Sequence, residues 1–231
     1  MFLGHFAVAF AARPQAGAVS LGTLFLACQL ADLVWPVLVL AGVERVAIDP
    51  GNTAVTPLAF VFYPYSHSLT ALAGWGLLVA AIVRRARIAG LLVAVVISHW
   101  ILDVVAHRAD MPLTFDNTTR LGVGLWQSLP ATIAVEGALF GLATLWYART
   151  TRPRDRTGTR ALAGLVAFLV VIYVASLFGP PPPNVTTVAV SALAMWLLVA
   201  WAYWIDRHRD VRGPRSTGDR PEGDGPTVRP L

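Results

Sequence analysis

Apolar residues fall into long runs along this chain, and polar residues gather between the runs. Six runs approach the ~20 residues that a helix needs to cross a bilayer. We expect spanning helices at about residues 17–42, 65–84, 88–107, 129–149, 161–178 and 186–205. A short apolar segment at 2–12 predicts a preceding half-helix, because Pro14 and Gly17 separate it from the first run. The pattern predicts an all-α, polytopic membrane helical bundle.

Composition supports a membrane protein. Of the 231 residues, 56% are apolar and 13% charged, and the mean hydropathy is +0.61. The net charge of +5 does not indicate nucleic-acid binding, because the arginines lie in short loops and the C-terminal segment rather than on a basic, aromatic face. Membrane lipids are the expected partners. The one cysteine, Cys28, lies within an apolar run and predicts a small buried hydrophobe.

Arginine placement predicts the orientation of the chain. Fifteen of the 18 arginines precede the first run, follow the last or lie in alternate loops, whereas three lie in the opposite loops. Because cytoplasmic loops are enriched in basic residues, we expect the N-terminus and the C-terminal tail to be cytoplasmic. The loops at 43–64 and 108–128 would then be external. The expected location is the inner or plasma membrane, with several passes.

The chain divides into a membrane domain and a tail. Residues 1–205 form the predicted helical domain, with the polar site in 1–150. The helices within 161–205 contain no His, Asp or Glu and are expected to act as scaffold. Residues 206–231 are rich in Pro, Gly, Arg and Asp, so we expect a disordered cytoplasmic tail.

Three ionisable side chains mark the polar end of the third run. His99, Asp103 and His107 are spaced four residues apart, which places them on one stripe of a helix. Ionisable groups inside a membrane helix are costly and usually have a function. Imidazoles and a carboxylate at this spacing can present ligands to a metal ion. The alternative is a neutral polar network that joins neighbouring helices.

Ionisable residues of four different runs are expected at one depth. Counted from the cytoplasmic arginines at about 1.5 Å per helical residue, each lies about 18–30 Å into its helix. This layer, in the outer half of the bilayer, holds Asp32, His67, His99, Asp103, His107 and Glu136. His5 lies lower, about 12 Å above Arg13 if the half-helix folds back beside the first run. We therefore expect a single polar site, with His5 able to reach its lower edge.

Imidazole and carboxylate ligands without thiolates favour a divalent metal, with Zn expected and Mn or Fe as alternatives. The candidate metal ligands are His5, Asp32, His67, His99, Asp103 and His107. Because they exceed the three protein ligands of a mononuclear catalytic zinc site, either two ions bind or some of them orient ligating imidazoles. Asp103 and Glu136 are the candidate catalytic carboxylates. Asp32 and Glu136 could instead be protonated carboxyls, and His67 an interfacial residue.

The residues of this layer resemble the motifs of a known family. The motifs are Gly4-His5, Asp32, His67-Ser68-Leu69 and His99-Trp100-Ile101-Leu102-Asp103. They are similar to those of the membrane-bound metal-dependent hydrolases that include the LexA-regulated, YdjM-like inner-membrane proteins. The similarity covers residues 1–150. One departure weakens the transfer of a two-metal arrangement: Gln29-Leu30-Ala31-Asp32 stands where the family often has an acidic Pro-Asp-x-Asp-like element.

The depth pattern and the resemblance together imply a metal-dependent hydrolase. Its expected substrate is amphiphilic, such as a lipid-like ester, amide or phosphodiester, because the site would open near the outer membrane interface. One alternative is a transporter or ion-coupled permease, in which the buried carboxylates titrate during transport. The other is a structural membrane protein whose helices are joined by a metal. A permease needs a polar path through both halves of the bilayer, whereas the ionisable residues here, His5 apart, lie in the outer half.

Overall fold

Helices dominate the computed structural model, which describes residues 1–83 and 85–212. The half-helix predicted at 2–12 is α1 (Phe2–Ala12). The first predicted span is divided into α2 (Leu21–Cys28) and α3 (Leu30–Leu40), and the second into α4 (Pro64–His67) and α5 (Leu69–Ile82). The remaining helices are α6 (Ala86–Ala106), α7 (Leu129–Thr150), α8 (Arg156–Phe178), α9 (Val185–Ala192) and α10 (Met195–Arg207).

Several of these helices could span a membrane. Within the described residues, α6, α7, α8 and the combined α9–α10 stretch are long and apolar enough to cross, which makes four. A fifth span results if α2 and α3, which meet at a bend of 52°, are counted as one broken helix. The bundle is therefore helical as predicted, but the prediction of six spans is not confirmed.

The second predicted span is shortened by a serine cap. Ser68 adopts an extended conformation and its side chain accepts a hydrogen bond from the amide of Ala71, so α5 begins at Leu69. With 14 residues, α5 is about 21 Å long, less than the ~30 Å of a hydrocarbon core. The four residues before Ser68 form the separate helix α4, which carries His67.

Short strands, which the all-α prediction did not include, form three two-stranded sheets within the described residues. Strands β1 (Arg45–Ile48) and β2 (Leu58–Phe62) form an antiparallel hairpin in the loop after α3. Strands β3 (Met111–Pro112) and β4 (Arg120–Leu121) pair in the loop after α6. Strand β5 (Thr151–Pro153) pairs with β6 (Arg209–Val211), which follows α10. The first residues of the predicted tail belong to α10 and β6, and its part from 213 to 231 lies outside the described residues.

Helix α1 is buried at the centre of the bundle. It packs against α7, α2 and α6, and Phe6 and Phe10 are fully buried on it. Their rings belong to an aromatic layer that consists of Phe6, Phe10, Phe25, Phe140 and Tyr147. At its far end, Arg13 bonds Asp206 of α10 at 3.1 Å. The aromatic layer therefore separates the arginine-rich end of the bundle from His5, near the start of α1.

Candidate metal centre

Five of the ionisable residues singled out in the sequence meet in one cluster. They come from four helices: His5 from α1, Asp32 from α3, His67 from α4, and His99 and Asp103 from α6. Two groups within it could each hold a metal ion, with ligand atoms within 4.8 Å of one another. One group is Asp32, His67 and His99; the other is His5, His99 and Asp103.

The hydrogen bonds around His67 determine which of its nitrogens is free. Ser66 Oγ lies 2.6 Å from Oε2 of Glu44, a carboxylate that can only accept. Since the hydroxyl has one hydrogen, Ser66 Oγ must accept from His67 Nδ1, 2.7 Å away. Neutral His67 therefore carries its proton on Nδ1 and presents the lone pair of Nε2 to Asp32.

His99 is oriented in the same way by a backbone carbonyl. Its Nδ1 donates to the carbonyl oxygen of Cys28 at 2.7 Å. Cys28 ends α2 at the bend before α3, so this bond links α6 to the break in the first span. Neutral His99 then also presents its Nε2 lone pair, which has no hydrogen-bond partner within the described residues.

The Nε2 atoms of both histidines face Asp32, and that of His99 lies nearer still to Oδ2 of Asp103, at 3.1 Å. Oδ1 of Asp32 lies 3.3 Å from His67 Nε2 and 3.9 Å from His99 Nε2. Lone pairs and a carboxylate oxygen that face one another repel unless a cation or a proton lies between them. Metal-ligating histidines characteristically donate their other ring N–H to a carbonyl or to another acceptor. The residues present therefore fit a metal ion on the basis of their own hydrogen bonding.

The second group is arranged differently. The two carboxylate oxygens of Asp103 contact different histidines: Oδ1 lies 3.0 Å from His5 Nε2, and Oδ2 lies 3.1 Å from His99 Nε2. The amino group of Met1 also contacts Oδ1 of Asp103 and lies 3.2 Å from His5 Nε2. In contrast to Nδ1 of His67 and His99, Nδ1 of His5 has no hydrogen-bond partner within the described residues.

His99 belongs to both groups, and this limits how they can be filled. A neutral imidazole with its proton on Nδ1 has one lone pair, on Nε2, and can bind one ion through it. The group of Asp32, His67 and His99 contains both histidines whose tautomers are fixed. It supplies three protein ligands, the number found in mononuclear catalytic zinc sites. It is therefore the better candidate metal site, with Asp103 and His5 beside it.

Burial restricts access to the cluster. His5, His67, His99 and Asp103 are all at most 4% exposed. The side chain of Asp32 is 27% exposed and forms the accessible edge of the cluster. A small molecule would therefore reach the site past Asp32.

The third residue of the predicted stripe, His107, lies elsewhere. Helix α6 ends at Ala106 and His107 is extended, so its side chain leaves the face that carries His99 and Asp103. Its Nδ1 bonds Asp110 Oδ1 at 2.9 Å, and its ring packs 4.3 Å from that of Trp126. Burial raises the pKa of nearby Tyr63 well above its usual value, so the protonated phenol donates to the carbonyl of Asp110 at 3.0 Å. His107 belongs to neither candidate metal group.

The second candidate catalytic carboxylate, Glu136, contacts the start of α1. Its Oε2 accepts a hydrogen bond from the backbone N–H of Leu3 at 2.7 Å. An N–H in the first turn of a helix has no intrahelical partner, so this bond anchors α1 against α7. Glu136 is 1% exposed and outside both candidate metal groups. Glu136 therefore contacts the helix that carries His5 rather than the cluster itself.

Sequence reasoning missed two residues around this site, Glu44 and Ser66. Both are buried, and Ser66 Oγ bridges Glu44 Oε2 and His67 Nδ1. Ser66 adjoins His67, and its hydroxyl was a readable signal beside a candidate ligand. Glu44 lies in the turn after α3 and follows no helical periodicity, so its contact with α4 could not be read from the chain.

Comparisons of the chain with family models, curated proteins and solved structures return no significant match. The resemblance to the YdjM-like hydrolases therefore remains a hypothesis that rests on the short motifs.

Proposed function

We propose that this protein is an integral-membrane, metal-dependent hydrolase that acts on an amphiphilic substrate near the outer membrane interface. One observation carries the proposal: two buried imidazoles, each bonded through Nδ1 to Ser66 or to the Cys28 carbonyl, bring their Nε2 atoms to 3.3 and 3.9 Å from the carboxylate of Asp32. Such a set of two histidines and one carboxylate, without thiolates, suits Zn and also Mn or Fe(II).

Asp32, His67 and His99 are the proposed ligands. A divalent metal ion bound there would supply Lewis-acid polarisation of an ester, amide or phosphodiester. Because Asp32 is the accessible member, the substrate's reacting group would approach from its side of the cluster. Burial of the other members excludes bulk water, which strengthens electrostatic interactions in the site.

Asp103 is the proposed general base. It is buried, and its Oδ2 lies 3.1 Å from His99 Nε2, at the edge of the metal group. A carboxylate there can accept the proton of an attacking water and pass it to the leaving group. His5 contacts the other oxygen of Asp103 at 3.0 Å and would hold that carboxylate in place.

The aromatic layer favours hydrolysis over transport. A permease requires a polar path across the bilayer, whereas Phe6, Phe10 and Phe25 are fully buried between the site and the Arg13–Asp206 pair. The rings of Phe10 and Phe25 are 5.4 Å apart, and those of Phe6 and Phe25 are 5.1 Å apart. The proposed site is therefore open to one side, with the arginine-rich end toward the cytoplasm.

Elemental analysis of protein purified without chelators tests the proposal. We expect about one divalent metal ion per chain in the wild type and little in His99→Ala, with unchanged helix content by circular dichroism. His208→Ala, far from the cluster at the arginine-rich end, is the matched control and should retain the metal. The same samples, incubated with lipid esters, amides and phosphodiesters, should give a chelator-sensitive product. A metal-free wild type would overturn the proposal.

A further inference from the structure

We propose that Glu44 is a positioning residue for the metal site and acts on His67 through the hydroxyl of Ser66. The inference rests on the metal site proposed above. It adds a named orienting pair, Glu44 and Ser66, that determines which nitrogen of His67 faces Asp32. Both residues lie outside the candidate ligand groups.

The carboxylate of Glu44 is held firmly by three hydrogen bonds. Its Oε1 accepts from the backbone N–H groups of Tyr65 and Ser66 at 2.8 and 2.9 Å. Its Oε2 is left for the hydroxyl of Ser66, at 2.6 Å. Because Glu44 is 1% exposed, water does not compete for this oxygen. The direction of the Ser66 hydroxyl is therefore determined by Glu44.

Besides Glu44 and His67 Nδ1, the described residues offer the Ser66 hydroxyl one further acceptor, and it is weaker. The carbonyl of Tyr63 lies 3.5 Å from Ser66 Oγ, against 2.6 Å for the charged oxygen of Glu44. Short hydrogen bonds to ionised acceptors are roughly twice as strong as neutral ones. The hydroxyl therefore donates to Glu44 and leaves its lone pair for the Nδ1 proton of His67, 2.7 Å away.

Loss of Glu44 or of the Ser66 hydroxyl would allow the His67 tautomer that cannot bind a metal through Nε2. Without an acceptor at Nδ1, the proton of His67 can move to Nε2, where it bonds Asp32 and blocks coordination. Residues that orient metal-bound histidines typically contribute about 10–100-fold to metal affinity. We expect an effect of that size at Ser66 and at Glu44.

Glu44→Gln makes the sharpest test because it reverses the hydrogen bond. The amide oxygen can still accept from Tyr65 and Ser66 backbone N–H groups, whereas the amide NH₂ would donate to Ser66 Oγ. The released Ser66 hydroxyl would favour donation to His67 Nδ1, 2.7 Å away, over the Tyr63 carbonyl at 3.5 Å, and this would shift the His67 proton toward Nε2. The variant keeps the local backbone bonds but selects the tautomer that cannot bind metal.

The experiment measures cobalt affinity and the histidine tautomer in the full-length protein. Metal-stripped protein is titrated with Co²⁺, followed by its visible absorption, for Glu44→Gln, Ser66→Ala, Ser66→Thr and Ser68→Ala. We expect the Kd for Co²⁺ to rise 10–100-fold in Glu44→Gln and in Ser66→Ala. Ser66→Thr keeps the hydroxyl and should bind Co²⁺ with near wild-type affinity. Ser68→Ala is the matched control: it removes a buried neighbouring hydroxyl that caps α5 without touching His67.

Histidine-selective ¹⁵N spectra of the metal-free protein separate this inference from the metal proposal, with the His67 signals assigned from a His67→Gln variant. The wild type should show His67 protonated at Nδ1, and Glu44→Gln should show it protonated at Nε2. If the wild type has this tautomer and Glu44→Gln reverses it, but neither binds metal, Glu44 still controls the tautomer of His67 and the proposed function fails. If metal binds and Glu44→Gln changes neither the tautomer nor the Kd, the positioning role is overturned and the metal site stands.

Discussion

The imidazole of His5 lies parallel to that of His99, with ring centroids 3.7 Å apart and an angle of 5° between the planes. His99 belongs to the long helix α6, whereas His5 reaches it from the short buried helix α1. The half-helix is thus part of the site rather than a leader to the first span. A hydrogen bond from the backbone N–H of Leu3 to Glu136 joins this helix to α7.

Removal of the Glu136 carboxylate should destabilise the docking of α1. Glu136→Ala leaves the buried N–H of Leu3 without an acceptor, which costs about 1–3 kcal/mol. Glu136→Gln keeps an acceptor oxygen and should retain most of the stability. Thermal unfolding of the two variants in the same detergent measures the difference. Equal melting temperatures would show that the bond contributes nothing to the docking of α1.

His107 and His67 should differ in their effect on metal content. His67→Gln should lose most of the bound metal, because Nε2 of His67 faces Asp32 at 3.3 Å. His107→Gln should keep it, since His107 bonds Asp110 outside the cluster. Inductively coupled plasma mass spectrometry of the purified variants provides the comparison. Metal loss in His107→Gln would instead support the full stripe that the sequence predicts.

Asp103→Asn should separate catalysis from metal binding. General-base catalysis contributes about 10²–10⁴-fold, and we expect the hydrolysis rate to fall by that factor. Metal content should be largely retained, because Asp103 lies beside the group of Asp32, His67 and His99 rather than within it. Asp110→Asn, a carboxylate bonded to His107, is the control for a nearby charge loss. A metal-free Asp103→Asn protein would make Asp103 a ligand.

The orientation can be tested with single cysteines. In a Cys28→Ser background, Thr53→Cys and Asn117→Cys should be labelled by an impermeant thiol reagent on intact cells. Ser216→Cys, beyond the described residues, should be labelled only after lysis, because arginine-rich segments remain in the cytoplasm. The reverse labelling pattern would place the cluster of candidate metal ligands in the cytoplasmic half of the membrane.

Acid should loosen the arginine-rich end of the bundle. A hydrogen bond from His208 Nδ1, at 2.7 Å, holds the pKa of Asp155 below its ordinary value of 3.8. A carboxyl whose pKa is lowered by folding stabilises the fold above its unfolded pKa, and this contribution is lost as pH falls through the folded pKa. Protection of the Gly158 amide, which donates to Asp155, should therefore decrease below about pH 4.

Hydrogen exchange of Gly158, corrected for the intrinsic rate at each pH, measures this change. Asp155→Asn keeps a cap for α8 but cannot titrate, so its protection should be independent of pH. Protection in the wild type that stays constant down to pH 3 would contradict the assignment.

Much of the helical pattern was readable from the chain because it depends on local hydrophobicity. The runs at 88–107 and 129–149 correspond to α6 and α7 within a few residues. Residue counts from the cytoplasmic arginines also predict Asp32, His67, His99 and Asp103 in one layer, and the structure brings these four side chains together. Depth along a helix follows from counting residues, so it needs no knowledge of the packing.

The breaks and the loops were not predictable in this way. No glycine or proline marks the bend at Gln29, so the first run reads as a single helix. The exit of His107 from its stripe depends on where α6 ends, and a one-residue error there turns the side chain away. Glu44 contacts Ser66 across a turn and a hairpin, which only the tertiary fold specifies. The predicted and the observed structure therefore differ where local helix rules no longer determine the backbone conformation.

The bend between α2 and α3 has a thermodynamic consequence for the whole first span. The carbonyl of Cys28 orients His99 from the break itself. Cation binding that requires this orientation and the bent shape of the helix are therefore linked equilibria, and each stabilises the other by the same free energy. A distance probe across the bend would report site occupancy, and a substitution that straightens the span would weaken binding without altering any ligand.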